Sequence, residues 1–138
     1  MNFQELLKLG REHEDQAIKR IEKLNNSKCM MQQDETNFKY IHYDFLTSDG
    51  LKYEVKYDRA SDKTGNCFIE FLDGRQKISG ITISDANFYI IYTHQLYLMI
   101  SIEKLKELTI NKDIRRGKDG TKGYIINWEL IKNSSIII

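Results

Sequence analysis

Asp44, Glu54 and Lys56 are the residues whose types and spacing suit them to act together. If Ser48-Asp49-Gly50 is a three-residue hairpin loop centred on Asp49, Asp44 stands directly across from Glu54. Paired positions in a hairpin bring their Cβ atoms to about 5 Å on one face. Glu54 and Lys56, two apart on a strand, share that face. Two facing carboxylates repel unless a cation lies between them. Hard oxygen donors in this number suit Mg²⁺ or Mn²⁺, which keep several waters. Water on such a metal becomes acidic, and a neighbouring lysine can position it or stabilise developing charge. That is equipment for hydrolysing a phosphodiester. The same triplet can also be read as an ion-pair row on a solvent-exposed hairpin face.

The elements that position these residues follow from hydrophobic periodicity. From about Asn2 to Asn25, Phe3, Leu6, Leu7, Gly10, Ala17, Ile21 and Leu24 gather on one face at 100° per residue, which predicts an amphipathic helix. Asn25-Asn26-Ser27 reads as its stop. Glu14 lies within about 40° of the centre of the apolar stripe, between Gly10 and Ala17. A carboxylate aimed at the core needs a partner or a metal. A Glu14 at the stripe's edge would reach water instead. The small residues on either side would let the helix approach a sheet closely.

Cys29 to Asn37 reads as a polar connection. Phe38–Thr47, Leu51–Tyr57 and Asn66–Leu72 read as three strands, with turns at Ser48-Asp49-Gly50 and Asp73-Gly74-Arg75. Ser84 to Asn87 reads as a short helix capped by Ser84. Phe88–Tyr92 and Leu96–Ile100 read as strands, and Ser101 caps a helix carrying Ile102, Leu105 and Leu108. Asn111 to Gly123 reads as a basic, Gly-rich loop, and Tyr124 to Trp128 as a last strand. The apolar tail from Ile136 to Ile138 suits either an edge strand or a contact between copies.

A helix with an inward Glu, an Asp at a strand end, Glu-x-Lys on the next strand and a third strand after it resembles the PD-(D/E)XK, or restriction-endonuclease-like, nucleases. The motif here is Tyr43-Asp44, nine residues, then Glu54-Val55-Lys56, with Tyr43 where the family name has Pro. The stretches Glu54-Val55-Lys56-Tyr57-Asp58, Thr64 to Phe71 and Ser79-Gly80-Ile81 look similar to small phage and large-DNA-virus members. Archaeal-type Holliday junction resolvases are of similar size and carry a Glu on the first helix. The resemblance spans most of residues 1 to 130. It implies an α/β fold with a central mixed sheet flanked by helices, in α-β-β-β-α-β order. It also implies metal binding by Asp44, Glu54 and the Val55 carbonyl. Lys56 would position the attacking water, and Glu14 would support a metal or its water. The activity implied is Mg²⁺- or Mn²⁺-dependent cleavage of duplex or branched DNA, with a junction-resolving homodimer as the favoured form. A restriction-type or nicking nuclease, or a non-catalytic DNA-binding protein of the same fold, is the alternative.

Other candidates come from the residues themselves. Glu70 on the third strand is either a further acid of the site or a rim partner of Lys56 or Lys52. Asp58 shares the face of Lys56 and suits a loop-opening role. His42 reads as a structural histidine, and His13 and His94 have no partner visible in sequence. Basic residues fall in three loops: Arg59 and Lys63; Arg75 and Lys77; and Lys112, Arg115, Arg116, Lys118 and Lys122, the last group against Asp113 and Asp119. Lys63, Arg75, Lys77, Arg115, Arg116, Lys118 and Lys122 are the candidate phosphate contacts, glycines allowing close approach. An ordinary solvated loop is the other reading of the last cluster.

Composition bounds these readings. The chain has 138 residues, 41% hydrophobic and 30% charged, which fits one folded domain over 1–138 and excludes a disordered chain. Twenty-one Lys and Arg against 20 Asp and Glu give +1, so bulk charge does not announce a nucleic-acid binder. No run approaches the ~20 apolar residues of a membrane span. No signal-peptide pattern opens the chain. Cys29 and Cys67 have no CxxC or Cys/His spacing, which argues against zinc and for reduced thiols in an intracellular protein of cytoplasm or nucleoid. Serine and cysteine nucleophiles lack a matching His and Asp set.

Overall fold

The computed structural model describes residues 2–31 and 42–138. Helix α1 (Phe3–Asn25) begins at Asn2, whose side chain accepts the Glu5 N–H while Glu5 reaches back to the Asn2 N–H. It stops at Asn26 in the left-handed region, φ 49°. Strands β1 (Cys29–Met31), β2 (Phe45–Thr47) and β3 (Lys52–Tyr57) follow, then the one-turn helix α2 (Ser61–Thr64) and strand β4 (Asn66–Leu72). A 3-10 turn at Gly80–Thr82 leads to β5 (Phe88–Thr93) and β6 (Leu96–Ser101). The chain continues through α3 (Ile102–Thr109), β7 (Ile114–Arg116), β8 (Lys122–Asn127), α4 (Trp128–Asn133) and β9 (Ile136–Ile137).

The architecture is mixed α/β. A main sheet runs β1-β2-β3-β5-β6-β9, with β3 and β5 parallel and the other pairs antiparallel. A second, antiparallel sheet runs β4-β8-β7. Parallel β3 and β5 require a long crossover between them. Residues 58–87 supply it, and β4 lies within it. The third predicted strand therefore exists with its predicted bounds but leaves the main sheet for the second one.

Two cores result. Cys67 and Ile69 of β4 and Ile126 of β8 meet Tyr89, Ile91, Leu98 and Ile100 of the main sheet, closed off by Leu105 of α3 and Ile131 of α4. On the other face of the main sheet, Ala17 and Ile21 of α1 pack against Phe45, Tyr53, Ile90 and Met99. Of the α1 stripe only Ala17 and Ile21 are buried; Phe3, Leu6, Leu7 and, at the other end, Leu24 remain exposed. The close approach expected at Gly10 is absent, since a Cβ there would meet nothing within 4 Å. Ala17, fully buried, makes the close contact instead.

Other expectations need correction. The connection predicted from Cys29 contains β1, paired with β2. Of the strand predicted at 38–47, residues 38–41 lie outside the described residues and only Phe45–Thr47 is strand. Ser84–Asn87 is irregular, not helical. The Ser84 hydroxyl accepts the Ala86 N–H, while the Asp85 and Asn87 N–H groups go to the His42 and Lys52 carbonyls, leaving no donors for a helix. The predicted loop at 111–123 contains β7 and the start of β8. Trp128 opens α4 rather than closing a strand, because the Asn127 side chain accepts the Glu129 N–H and caps that helix. The tail pairs as an edge strand, Ile136 and Ile137 opposite Met99 and Leu98.

Gly80 joins the two sheets. Its φ is +53°, and a Cβ there would collide with the backbone carbonyl of Glu70. Replacing Gly80 by Ala therefore combines left-handed strain with a steric clash. We expect a loss of about 2–4 kcal/mol in urea unfolding. Unchanged stability would show that this junction is not tightly packed.

Candidate active site

The hairpin has the predicted register. Phe45 pairs with Tyr53 and Leu46 with Lys52, but the Asp44 N–H donates to the Tyr53 carbonyl at 2.8 Å, one residue off that register, so the ladder ends at Phe45 and Asp44 lies beside Glu54 in one cleft rather than paired with it. The loop closes through Thr47 N–H to the Leu51 carbonyl and Gly50 N–H to the Thr47 carbonyl, both 2.9 Å, with the Asp49 carboxylate taking the Thr47 hydroxyl.

The ladder between β2 and β3 ends at Phe45, and this ending builds the site. Along β3, the even-numbered backbone turns toward β5: Lys52 accepts from Asn87, and Asp58 donates to Tyr92. The odd-numbered backbone must turn toward β2. Tyr53 there accepts from Asp44, and two residues on, the Val55 N–H is met by the Asp44 carboxylate, Oδ2 at 2.7 Å. The Val55 carbonyl faces the same edge. Asp44 is thereby tethered beside the strand that carries Glu54.

Glu54 and Lys56 lie on the face of β3 that adjoins the inter-sheet core, beside Tyr89 and Ile91 of β5. The Lys56 ammonium is 3.1 Å from Glu54 Oε1. Glu54 is 16% exposed and Lys56 47%, so the pair spans from the protein interior to solvent. His42, Asp44, Glu54, Lys56, Gly80 and Ser84 line a cleft of about 160 Å³. Lys56 and Gly80 also border an adjacent cavity of about 180 Å³, walled by Asp58, Glu70 and Tyr89.

The electrostatics follow from burial and like charge. Burial, then the neighbouring Glu54, push Asp44 up to about 7, although the Val55 N–H and Lys56 favour its charge. Glu14 is raised by burial, by Asp15 and by Glu54, and it in turn raises Asp44. It is thus within electrostatic reach of both hairpin carboxylates, from a helix on the opposite face of the sheet. Desolvation alone would lower Lys56. Glu54, with Tyr89 and Asp44, outweighs it, raises the pKa and keeps the ammonium charged.

The chemistry of the donor set suits a hydrated divalent cation. Asp44 and Glu54 offer two hard carboxylates, the Val55 carbonyl faces their edge, and Glu14 stands behind. Among the described residues no cluster of three or more His, Cys, Asp or Glu is close enough to hold a metal by itself. Mg²⁺ asks for less, binding through one or two carboxylates and keeping waters. The Tyr89 hydroxyl supports this fit: it is buried beside the Ser84 side chain yet completes no hydrogen bond of good geometry among the described residues. A hydrated cation would satisfy such an orphaned group. Tyr89, Gly80 and Ser84 were not predicted to belong to the site; Tyr89 reads as a core aromatic, and the other two arrive from the crossover.

The remaining candidates sort by position. Glu70 does not pair with Lys56 or Lys52: its Oε2 accepts the Ser79 hydroxyl at 2.8 Å, in the adjacent cavity. Asp58 organises its loop, accepting the Ser61 and Phe68 N–H groups. The His42 carbonyl accepts from Asp85 and Ser84. His13 meets the Tyr97 hydroxyl at 2.8 Å and stacks on Tyr92, and His94 stacks on Trp128 at 3.8 Å. Burial pushes the Cys29 thiol up to about 11 and Cys67 to about 12, so neither is a ready nucleophile. Lys63 lies on α2, at the start of β4, whereas Arg75 and Lys77 lie beyond its end. Among the described residues no helix is long and apolar enough to cross a membrane.

No family model matches the chain, and no curated protein matches it.

The raised Asp44 pKa sets a pH dependence. An acid with an ordinary pKa of 3.8 unfolded and about 7 folded stabilises the fold below 3.8. That contribution is lost as pH rises through 7. Metal-free protein should lose ~5–10 °C of Tm between pH 4 and pH 8 from this group. Asp44→Asn should flatten the profile, and Mg²⁺ should raise Tm more at pH 8 than at pH 5. Melting curves with and without Mg²⁺ check this; a wild-type profile that matches Asp44→Asn would contradict it.

Proposed function

We propose that this protein is a metal-dependent nuclease that hydrolyses DNA phosphodiesters, built on a restriction-endonuclease-like core. The observation that carries this reading is the convergence of Asp44 and Glu54 from one hairpin on a shared open cleft, with the Lys56 ammonium 3.1 Å from Glu54. The sheet arrangement also supports it. An antiparallel β1-β2-β3 meander is followed by a parallel β5, with the acids on β2's end and on β3 and a helix behind them.

The residues divide the work by chemistry. Asp44 and Glu54 supply the two carboxylates that would hold a Mg²⁺ or Mn²⁺ ion, and the Val55 N–H keeps Asp44 in place. When bound, such an ion supplies Lewis acidity toward a phosphate oxygen and acidifies water. Lys56 keeps its positive charge beside Glu54 and stabilises the charge that builds on the phosphate in the transition state. Glu14 adds negative potential from behind. One chain has one such cleft among the described residues, so paired cuts across a symmetric four-way junction would need a homodimer.

Plasmid and branched-DNA cleavage with Mg²⁺ or Mn²⁺ tests the reading. Asp44→Asn and Glu54→Gln should abolish cleavage while leaving the fold and DNA affinity largely intact. Lys56→Ala should slow cleavage by about 10²-fold or more with metal affinity little changed. Full cleavage by Asp44→Asn or Glu54→Gln removes the assignment. A parental rate from Lys56→Ala reduces that residue to a structural ion-pair partner.

A further inference from the structure

Two of the basic loops that are far apart in sequence meet in the fold. The turn at 73–77 and the turn at 117–121 interlock: a Cβ on Gly74 would lie 2.5 Å from the Asp119 carbonyl, and Gln76 Nε2 donates to the Gly120 carbonyl at 3.0 Å. They form one end of the second sheet, where Leu72 pairs with Lys122 and Lys122 with Arg116. Arg75, Lys77, Arg116, Lys118 and Lys122 are gathered there. The two acids of these turns are engaged locally. Asp73 accepts the Arg75 and Lys77 N–H groups, and Asp119 accepts the N–H and hydroxyl of Thr121. None of the five cations forms an ion pair among the described residues.

Strand alternation gives this end a direction. Ile126 of β8 is buried in the core shared with the main sheet, so Tyr124 and Lys122 share its face. Arg116, paired with Lys122, is on that face too, whereas Arg115, paired with Gly123, is on the other. Glu54 and Lys56 are on the face of the main sheet that looks back at it. The ends coincide. Gly80 abuts the Glu70 carbonyl on β4 and also lines the carboxylate cleft. From Lys77 to Gly80 is three residues, at most about 10 Å of chain. That reach is about three phosphates of one strand at the B-form rise.

We infer that the inward face of this overhang, Arg116 and Lys122 with Arg75, Lys77 and Lys118 of the interlocked turns, binds the phosphodiester backbone of DNA and leads it to the carboxylate cleft. The class of ligand rests on the nuclease reading, whereas the charge arrangement does not depend on it. Arg115 faces away and Lys63 sits at the far end of β4, so both lie off this path.

The test is fluorescence anisotropy of a labelled 20-base-pair duplex with the full chain in EDTA, where no cleavage occurs, over a series of salt concentrations. Melting curves establish that each variant is folded. Arg116→Gln with Lys122→Gln should weaken binding about tenfold or more and reduce the log–log salt slope by about two. Arg75→Gln with Lys77→Gln, on the other turn, should do the same. Arg115→Gln should change affinity less than Arg116→Gln alone or Lys122→Gln alone. Folded double variants that bind like the parent, or an Arg115→Gln effect equal to that of Arg116→Gln, would overturn the path. Cleavage assayed separately keeps the two readings apart. A chain that binds by this face but never cuts retains the path without the nuclease, and one that cuts with unaltered KM in the double variants retains the nuclease without the path.

Discussion

The repulsion between Asp44 and Glu54 is the constraint on which the rest of the site depends. Two carboxylates brought into one partly desolvated cleft are costly, and the fold holds them there by backbone means. The hairpin loop sets the register, β2 begins one residue after Asp44, and the freed Val55 N–H donates to the Asp44 carboxylate. The repulsion shows as a raised Asp44 pKa, and Glu14 adds to it from the helix side. Lys56 relieves Glu54 but lies toward solvent, so a small, hard cation between the acids would relieve the repulsion that remains.

The surrounding structure serves this arrangement. The parallel pairing of β3 with β5 forces a long crossover, and that crossover brings Gly80 and Ser84 to the cleft and carries β4 into a second sheet. The second sheet buries Cys67, Ile69 and Ile126 against the main sheet and extends beyond that core. Its overhang is cationic, while the cleft is anionic. A polyanion drawn to the overhang would meet the acids only with a metal present, a division of charge suited to a metal-dependent reaction on a phosphate backbone.

Much of the site was legible because it is local. The register of Phe45 with Tyr53 follows from a three-residue loop and brings Asp44 beside Glu54, though the ladder ends before pairing them, and the shared face of Glu54 and Lys56 follows from strand alternation. Glu14 stands out because a carboxylate near an apolar helical stripe is expensive. What was not legible depends on distant partners. β1 shows no alternation over three residues. β7 has three exposed residues, and only its pairing with β8 makes it a strand. Ser84 looks like a helix cap, yet its neighbours' N–H groups are claimed by His42 and Lys52, far away in sequence. Tyr89 reads as a core aromatic, and only its depth beneath Lys56 and Glu54 makes its hydroxyl part of the site.

The central claim is that the two cleft carboxylates form a cation site, and calorimetric titration with Mn²⁺ near pH 7 tests it most directly. Because Asp44 holds a proton up to about pH 7, Mn²⁺ should bind saturably and release protons, measurable in buffers of different ionisation enthalpy. Asp44→Asn should abolish the proton release, and both it and Glu54→Gln should weaken binding by at least about tenfold. Mn²⁺ binding of parental strength in both variants would contradict the account.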